Sequence, residues 1–112
     1  MNETRLNAYH VMWLFVFFDL PTGTKSERRN ASLFRKGLEK DWFTMMQYSV
    51  YTRHCGSKES MKAHIGRVKK LIPATGHINV LGVTDKQFSE MHNFWGKIEK
   101  AKPEAVQQLE LF

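Results

Sequence analysis

The chain has little cysteine, no long apolar run and no block of like charge, and each absence excludes a class of protein. Cys55 is the single cysteine, which excludes an internal disulfide and a zinc site built on cysteine pairs and fits a reducing cytosol. The longest apolar run, residues 11–18, is about half of a membrane span. Residues 1–9 hold one Arg, one Glu and no signal-peptide cleavage pattern. We therefore expect a cytoplasmic protein without a membrane partner.

The charge balance is basic and evenly distributed. The 112 residues carry 17 Lys and Arg against 11 Asp and Glu, a formal net charge of +6. Residues 1–56 contribute eight basic and five acidic side chains, and residues 57–112 contribute nine and six, so each half carries +3. No run of five like charges occurs. The pattern predicts a basic folded surface rather than a disordered arm, and such a surface favours nucleic acid as a partner.

The first half of the chain predicts a strand, a helix and a second β region. Residues 13–18 are an apolar, strand-like run that ends at Asp19, and a turn follows. Thr24 or Ser26 caps the next helix, which is expected to end near residues 41–42 and to turn Phe34 and Leu38 inward. Residues 43–54 are rich in β-forming side chains and predict either one long bent strand or a tight hairpin.

The second half predicts a helix, a strand and two short elements. Residues 58–72 have helical periodicity with His64 and Ile72 on the inner face, and Pro73 ends the pattern. Residues 78–84 predict a strand, 85–91 a helical turn, and 93–98 a last edge strand.

This order of elements predicts an α+β fold over a single domain, residues 1–112. The order β-α-β-β-α-β is compact as an antiparallel sheet with two helices on one face, the ferredoxin-like plait, here with an extra C-terminal edge strand. Residues 1–9 and 102–112 are expected to be loose termini.

The first strand is apolar on both faces, which predicts a homodimer. One face carries Leu14, Val16 and Phe18, and the other carries Trp13, Phe15 and Phe17. Two helices cover only one face of such a sheet, so a second copy of the chain is the simplest cover for the other.

Asp19 is the most informative polar residue, because it lies where the apolar strand meets the turn. Its carboxylate fits either a structural role, as an Asx-turn or a hydrogen-bond acceptor at the strand end, or a metal ligand. One carboxylate does not hold Mg²⁺ without help from waters, phosphates or a second carboxylate. A two-fold axis near the strand end would supply the second carboxylate from the partner copy, and a shared cation would offset their repulsion.

The cationic residues are candidates for contacts with phosphate. They sit on the outer faces of the two helices and at a strand end, where the alternative is an ordinary solvated surface. The predicted nucleic-acid-binding residues are Lys25, Arg28, Arg29, Lys36, Arg53, Lys69 and Lys70. The five histidines have no metal-ligand spacing, and His64 is expected in the core.

Several segments resemble the second CRISPR-associated protein family, the small partner of the CRISPR integrase. The similar segments are Phe17-Phe18-Asp19-Leu20-Pro21-Thr22 with the basic run that follows, and Met46-Gln47-Tyr48-Ser49-Val50-Tyr51. The segment Val83-Thr84-Asp85-Lys86-Gln87 resembles the type II branch. The resemblance extends over roughly residues 12–91.

This resemblance implies a ferredoxin-like homodimer in which Asp19 is the catalytic, Mg²⁺-binding position of an endonuclease acting on RNA or double-stranded DNA. It also implies a scaffold that joins subunits of the CRISPR integrase and holds prespacer DNA for insertion into the CRISPR array. The C-terminal tail then either docks on the integrase or is a frayed end. The alternative is a stand-alone RNA-binding module or toxin-type ribonuclease of the same fold.

Overall fold

The computed structural model describes residues 12–97, and the predicted loose termini lie outside them. Four strands and three helices are formed in this part of the chain. Their order is β1 Met12–Asp19, α1 Lys25–Lys40, β2 Thr44–Gln47, β3 Val50–Cys55, α2 Lys58–Leu71, β4 His77–Thr84 and α3 Asp85–Ser89. Within residues 12–97 no helix has both the length and the apolar character needed to cross a membrane.

The four strands form one antiparallel sheet in the order β2-β3-β1-β4, which confirms the predicted plait. Strand β1 is central and pairs with β3 on one side and β4 on the other. Phe15, for example, lies opposite Thr52 of β3 and Leu81 of β4. Residues 43–54 resolve into a hairpin whose turn is Tyr48-Ser49, so the long bent strand is not formed.

The hydrophobic core lies between the sheet and helices α1 and α2. Leu14 and Val16 of β1 are fully buried, since the central strand is covered by neighbours on both edges and by helices above. The remaining core side chains come from every layer and include Phe18, Phe34, Leu38, Tyr51 and Val68. The apolar helical periodicity therefore identified the buried faces, with one exception: Ile72 is 46% exposed, because α2 ends at Leu71 and Ile72 leaves the helix in an extended conformation.

Each helix begins at a side-chain cap. Thr24 rather than Ser26 caps α1: its Oγ1 accepts from the Glu27 N–H at 3.1 Å, and the Thr24 N–H donates to Glu27 Oε1 at 2.9 Å. Ser57 caps α2, and Thr84 forms a capping box with Gln87 at the start of α3.

The second face of β1 is partly covered by the chain itself. Phe88 of α3 stacks on Trp13 with ring centroids 4.0 Å apart, and the Trp13 indole Nε1 donates to Asp85 Oδ1 at 2.8 Å. Farther along this face Phe17 is half-buried and Leu81 is exposed. The apolar area that led us to expect a second copy is therefore smaller than the sequence indicates.

The predicted C-terminal edge strand is wrong over residues 93–97, which form no strand; Ile98 lies outside the described residues. The helical turn also ends at Ser89 rather than at residue 91. Aromatic side chains such as Phe94 and Trp95 favour a strand only where a ladder offers them a partner. The Thr84 cap starts α3 directly at the end of β4, and the chain after α3 finds no ladder within the described part.

Candidate functional site

Asp19 is the last residue of β1, and its side chain is exposed. An Asx-turn is not formed, since residue i+2 is Pro21, which has no N–H to donate. Within residues 12–97 the carboxylate takes part in no hydrogen bond and no ion pair. Among the described residues, neither carboxylate oxygen has a partner.

Asp19 lines a cleft of about 260 Å³, which we call the Asp19 cleft. Phe17 and Val50 contribute apolar walls, and Tyr48, His77 and Asn79 contribute polar groups. His77 lies directly opposite Asp19 in the β1–β4 ladder. The cleft thus combines an exposed carboxylate, a histidine, an amide and a phenol over an apolar base.

Gly76 allows the chain to bring His77 beside Asp19. Its φ of +113° lies in the region that glycine favours, and a Cβ placed there would lie 2.4 Å from Leu20 Cδ2 and 3.2 Å from the Asp19 carbonyl oxygen. A side chain at this position would therefore push the start of β4 away from the end of β1.

The topology collects positive charge at the same end of the domain. Here β1 ends, β3 and β4 begin, α1 begins and α2 ends; we call this the Asp19 end. Five of the seven predicted cationic residues lie in the opening turns of α1 or the last turn of α2, and all five are exposed: Lys25, Arg28, Arg29, Lys69 and Lys70. Arg28 also donates from Nη1 to the Thr22 carbonyl at 3.1 Å, which fixes it over the turn that follows Asp19.

The other two predicted cationic residues lie elsewhere. Lys36 is exposed about three turns farther along α1 than Lys25. Arg53 is half-buried on the helix-facing side of β3, where its Nε donates to Nε2 of His64 at 2.9 Å. The predicted phosphate contact of Arg53 stays a prediction, and its Nε already has a partner inside the fold.

His64 is buried, as the sequence predicts, and it connects three elements. Its Nδ1 lies 2.6 Å from Oδ2 of Asp41, and Asp41 Oδ1 accepts from Arg67 Nη1 at 2.9 Å. Nε2 of His64 accepts from Arg53, and Nδ1 lies within hydrogen-bond distance of Asp41. The cluster joins β3, α2 and the end of α1 and is a structural network away from the Asp19 cleft.

Cys55 lies in the core and has no role in the site. Burial raises the pKa of its thiol, so at neutral pH it stays protonated and unreactive. A thiolate pair with His54 is also excluded by the pleat, since His54 is exposed on the opposite face.

His77 and Tyr48 were missed by sequence reasoning. Neither stands at a motif spacing from Asp19, and only the strand register brings them to the cleft. The one available signal was their position next to turns, which is shared by many residues that have no function.

The donor set at Asp19 is compatible with Mg²⁺ in an open site. Among residues 12–97 no group of three or more His, Cys, Asp or Glu side chains could hold a metal ion. Mg²⁺ is commonly bound through one or two carboxylates, with waters and substrate phosphates completing its octahedral shell. Asp19 supplies one such carboxylate, and a phosphate or the Asp19 of a second copy would supply further oxygen ligands.

The fold and the cleft define a small, basic ferredoxin-like protein whose exposed Asp19 carboxylate lies at the same end as the cationic helix termini. The family model described as CRISPR associated protein Cas2 matches residues 12–91, and the chain belongs to this family.

Three relatives named CRISPR-associated endoribonuclease Cas2 match the chain over most of its length. The protein of Flavobacterium psychrophilum is 50% identical over 99% of this chain and 96% of its own. That of Parvibaculum lavamentivorans is 44% identical over 90% of this chain and 100% of its own. That of Paracidovorax avenae is 37% identical over 96% of this chain and 99% of its own.

Proposed function

We propose that the chain is a Mg²⁺-dependent endonuclease and nucleic-acid-binding homodimer of CRISPR adaptation. In this proposal Asp19 acts at the scissile phosphate, and the cationic Asp19 end binds the neighbouring backbone. The same homodimer joins subunits of the CRISPR integrase and holds prespacer DNA.

The observation that carries the catalytic part is the exposed Asp19 carboxylate, which lines a cleft at the same end of the domain as the cationic ends of α1 and α2. Backbone phosphates attract Lys and Arg regardless of sequence, so the cations would position a strand across the cleft mouth. The names of the relatives, which state endoribonuclease activity, support cleavage of a phosphodiester in RNA.

The chemistry assigns simple roles to the residues of this chain. A bound Mg²⁺ would polarise a phosphate oxygen and lower the pKa of a coordinated water. Asp19 would hold that ion through its carboxylate and orient it towards the phosphate. Lys25 and Arg29, at the start of α1, would neutralise the flanking phosphates and fix their distance from the cleft.

Replacement of Asp19 tests the catalytic part directly. Asp19→Asn keeps the size of the side chain and removes its charge, and we expect cleavage of single-stranded RNA in Mg²⁺ to fall about 100-fold or more. Glu59 lies in the first turn of α2, at the end of that helix away from Asp19. Glu59→Gln is therefore the matched control and is expected to cleave like the unmodified chain. An Asp19→Asn chain that cleaves at the unmodified rate would overturn the assignment.

Mixing the two chains tests the homodimer part of the proposal. If two Asp19 side chains serve one site, a mixed dimer with one Asp19→Asn chain loses that site. An excess of the Asp19→Asn chain should then lower the cleavage rate far more than dilution of the unmodified chain alone would. Activity that follows dilution alone, after time for subunit exchange, would show that each copy works independently.

A second candidate function is a stand-alone ribonuclease or RNA-binding module. This candidate is favoured because α3 covers part of the second face of β1. The apolar area that a partner copy would have to bury is smaller as a result. A monomer in solution that binds single-stranded RNA more tightly than duplex DNA would support it.

A further inference from the structure

Tyr48 is a large aromatic side chain that the fold leaves exposed beside the Asp19 carboxylate. It is the first residue of the β2–β3 turn, it is 73% exposed, and it lines the Asp19 cleft. Aromatic rings such as those of Phe18 and Tyr51 are buried in the core. The Tyr48 ring contributes little to that core and is available for contact with a ligand.

The turn that carries Tyr48 is held in place by a strained residue. Ser49 has a φ of +64°, in the left-handed region where a side chain is unfavourable. Its carbonyl oxygen accepts a hydrogen bond from the backbone N–H of Phe18 at 3.1 Å. Since Phe18 directly precedes Asp19, this bond fixes the hairpin turn against the end of β1, and Tyr48 thereby lines the same cleft as Asp19.

The size and lining of the cleft fit one flat ring. Its volume of about 260 Å³ lies below the roughly 300–1,000 Å³ of sites for drug-sized ligands. Phe17 and Val50 offer apolar surface, and the side-chain amide of Asn79 can both donate and accept hydrogen bonds at the edge of a ring.

We propose that Tyr48 forms a base-binding subsite, in which an unpaired nucleobase stacks on its ring while the adjoining phosphate lies at Asp19. The proposal rests on the function proposed for Asp19 and deepens it, because it assigns one residue of the chain to the contact with the substrate base. Stacking on an exposed aromatic ring requires a free base face, which single strands and loops offer and an intact duplex does not. Tyr48 therefore contributes affinity for an unpaired nucleotide at the Asp19 cleft.

Binding to a fluorescent single strand tests the subsite. The probe is a short single-stranded RNA with 2-aminopurine at one position, bound to the chain in an Asp19→Asn background that prevents cleavage. Adding Tyr48→Ala is expected to weaken binding about 10- to 100-fold and to remove the quenching caused by stacking. Adding Tyr48→Phe keeps the ring and is expected to restore both.

Trp42→Ala is the matched control, since Trp42 is 79% exposed but precedes β2, at the other end of that strand from Tyr48. It is expected to leave affinity and quenching unchanged. In the chain that retains Asp19, Tyr48→Ala should raise KM far more than it lowers kcat, the pattern of a lost binding contact.

The outcomes separate the two proposals. If Tyr48→Ala binds and quenches the probe like its parent while Asp19→Asn abolishes cleavage, the subsite is refuted and the function of Asp19 stands. If Asp19→Asn cleaves like the unmodified chain, the proposed function fails independently of Tyr48. A Tyr48→Phe chain as weak as Tyr48→Ala would also refute stacking, because the ring is then not what binds.

Discussion

At the scale of single residues, Trp42 shows how a helix end can conflict with the side chain it carries. Trp42 follows the C-cap of α1 and has a φ of +64°. Its N–H donates to the Glu39 carbonyl at 3.0 Å, and the Phe43 N–H donates to the Leu38 carbonyl at 3.0 Å. These two bonds are those of a Schellman motif, whose left-handed position is usually glycine. A tryptophan there is strained, and its indole gains little burial in return.

Trp42→Gly is therefore expected to stabilise the fold. Relief of the left-handed strain contributes about 1–2 kcal/mol, and the greater freedom of glycine in the unfolded chain offsets about 0.4–1 kcal/mol of it. We expect a net gain of about 0.5–1 kcal/mol in the free energy of unfolding by urea denaturation. Trp42→Ala keeps the strained φ and is expected to show no such gain; a Trp42→Gly chain less stable than Trp42→Ala would contradict the strain.

At the scale of elements, the sequence predicts the strands and helices that are set by the hydrophobic pattern of their own residues. The apolar run of β1 and the 3.6-residue period of α1 stand in the sequence itself, and both elements form as expected. The sequence did not decide between one bent strand and a hairpin with its turn at Tyr48-Ser49, and the prediction of an edge strand at 93–97 was wrong. Both depend on pairing, because a strand exists only where a neighbouring strand offers it hydrogen-bond partners. Such partners are set by the assembled sheet and are not readable from one segment.

Strand β3 carries two buried ionisable side chains, and both are expected to lower the stability of the fold at alkaline pH. Burial is the main cause that raises the pKa of Tyr51, with Glu39 adding to it, and burial also raises the pKa of Cys55. When a group has a higher pKa in the folded chain than in the unfolded chain, its contribution to the free energy of unfolding is complete at pH values below the unfolded-state pKa. That contribution is lost as the pH rises through the folded-state pKa. The unfolded values are about 10 for tyrosine and about 8.5 for cysteine, so stability should decline above about pH 9.

Tyr51→Phe tests this sign. The variant removes the phenol, so the free energy of unfolding measured between about pH 8 and about pH 11 should fall less steeply than in the unmodified chain. Tyr48→Phe is the matched control, because its exposed ring is not buried on folding. A Tyr51→Phe profile that coincides with that of the unmodified chain would contradict a raised pKa at Tyr51.

At the scale of the whole molecule, the fold gives the domain two unlike ends. The Asp19 end holds the exposed Asp19 carboxylate, the cleft and five exposed cations from two helices that are remote in sequence. Asp19 and these cations are predicted from the sequence as site residues, since a polar residue after an apolar strand and cations on an outer helix face are visible there. His77 and Tyr48 were not, since the β1–β4 register and the Ser49 turn bring them to the cleft.

The salt dependence of nucleic-acid binding tests most directly whether the Asp19 end is the binding surface. The measurement compares Lys25→Ala/Arg29→Ala, at the Asp19 end, with Lys58→Ala/Lys86→Ala, which removes the same charge from the start of α2 and from α3 at the opposite end. The affinity for a short DNA duplex is measured over a range of salt concentrations. The first pair should weaken binding and reduce the slope of log K against log salt by about 0.9 for each lost phosphate contact, while the second pair stays close to the unmodified chain. Equal slopes and equal losses in the two double variants would contradict a single nucleic-acid-binding end.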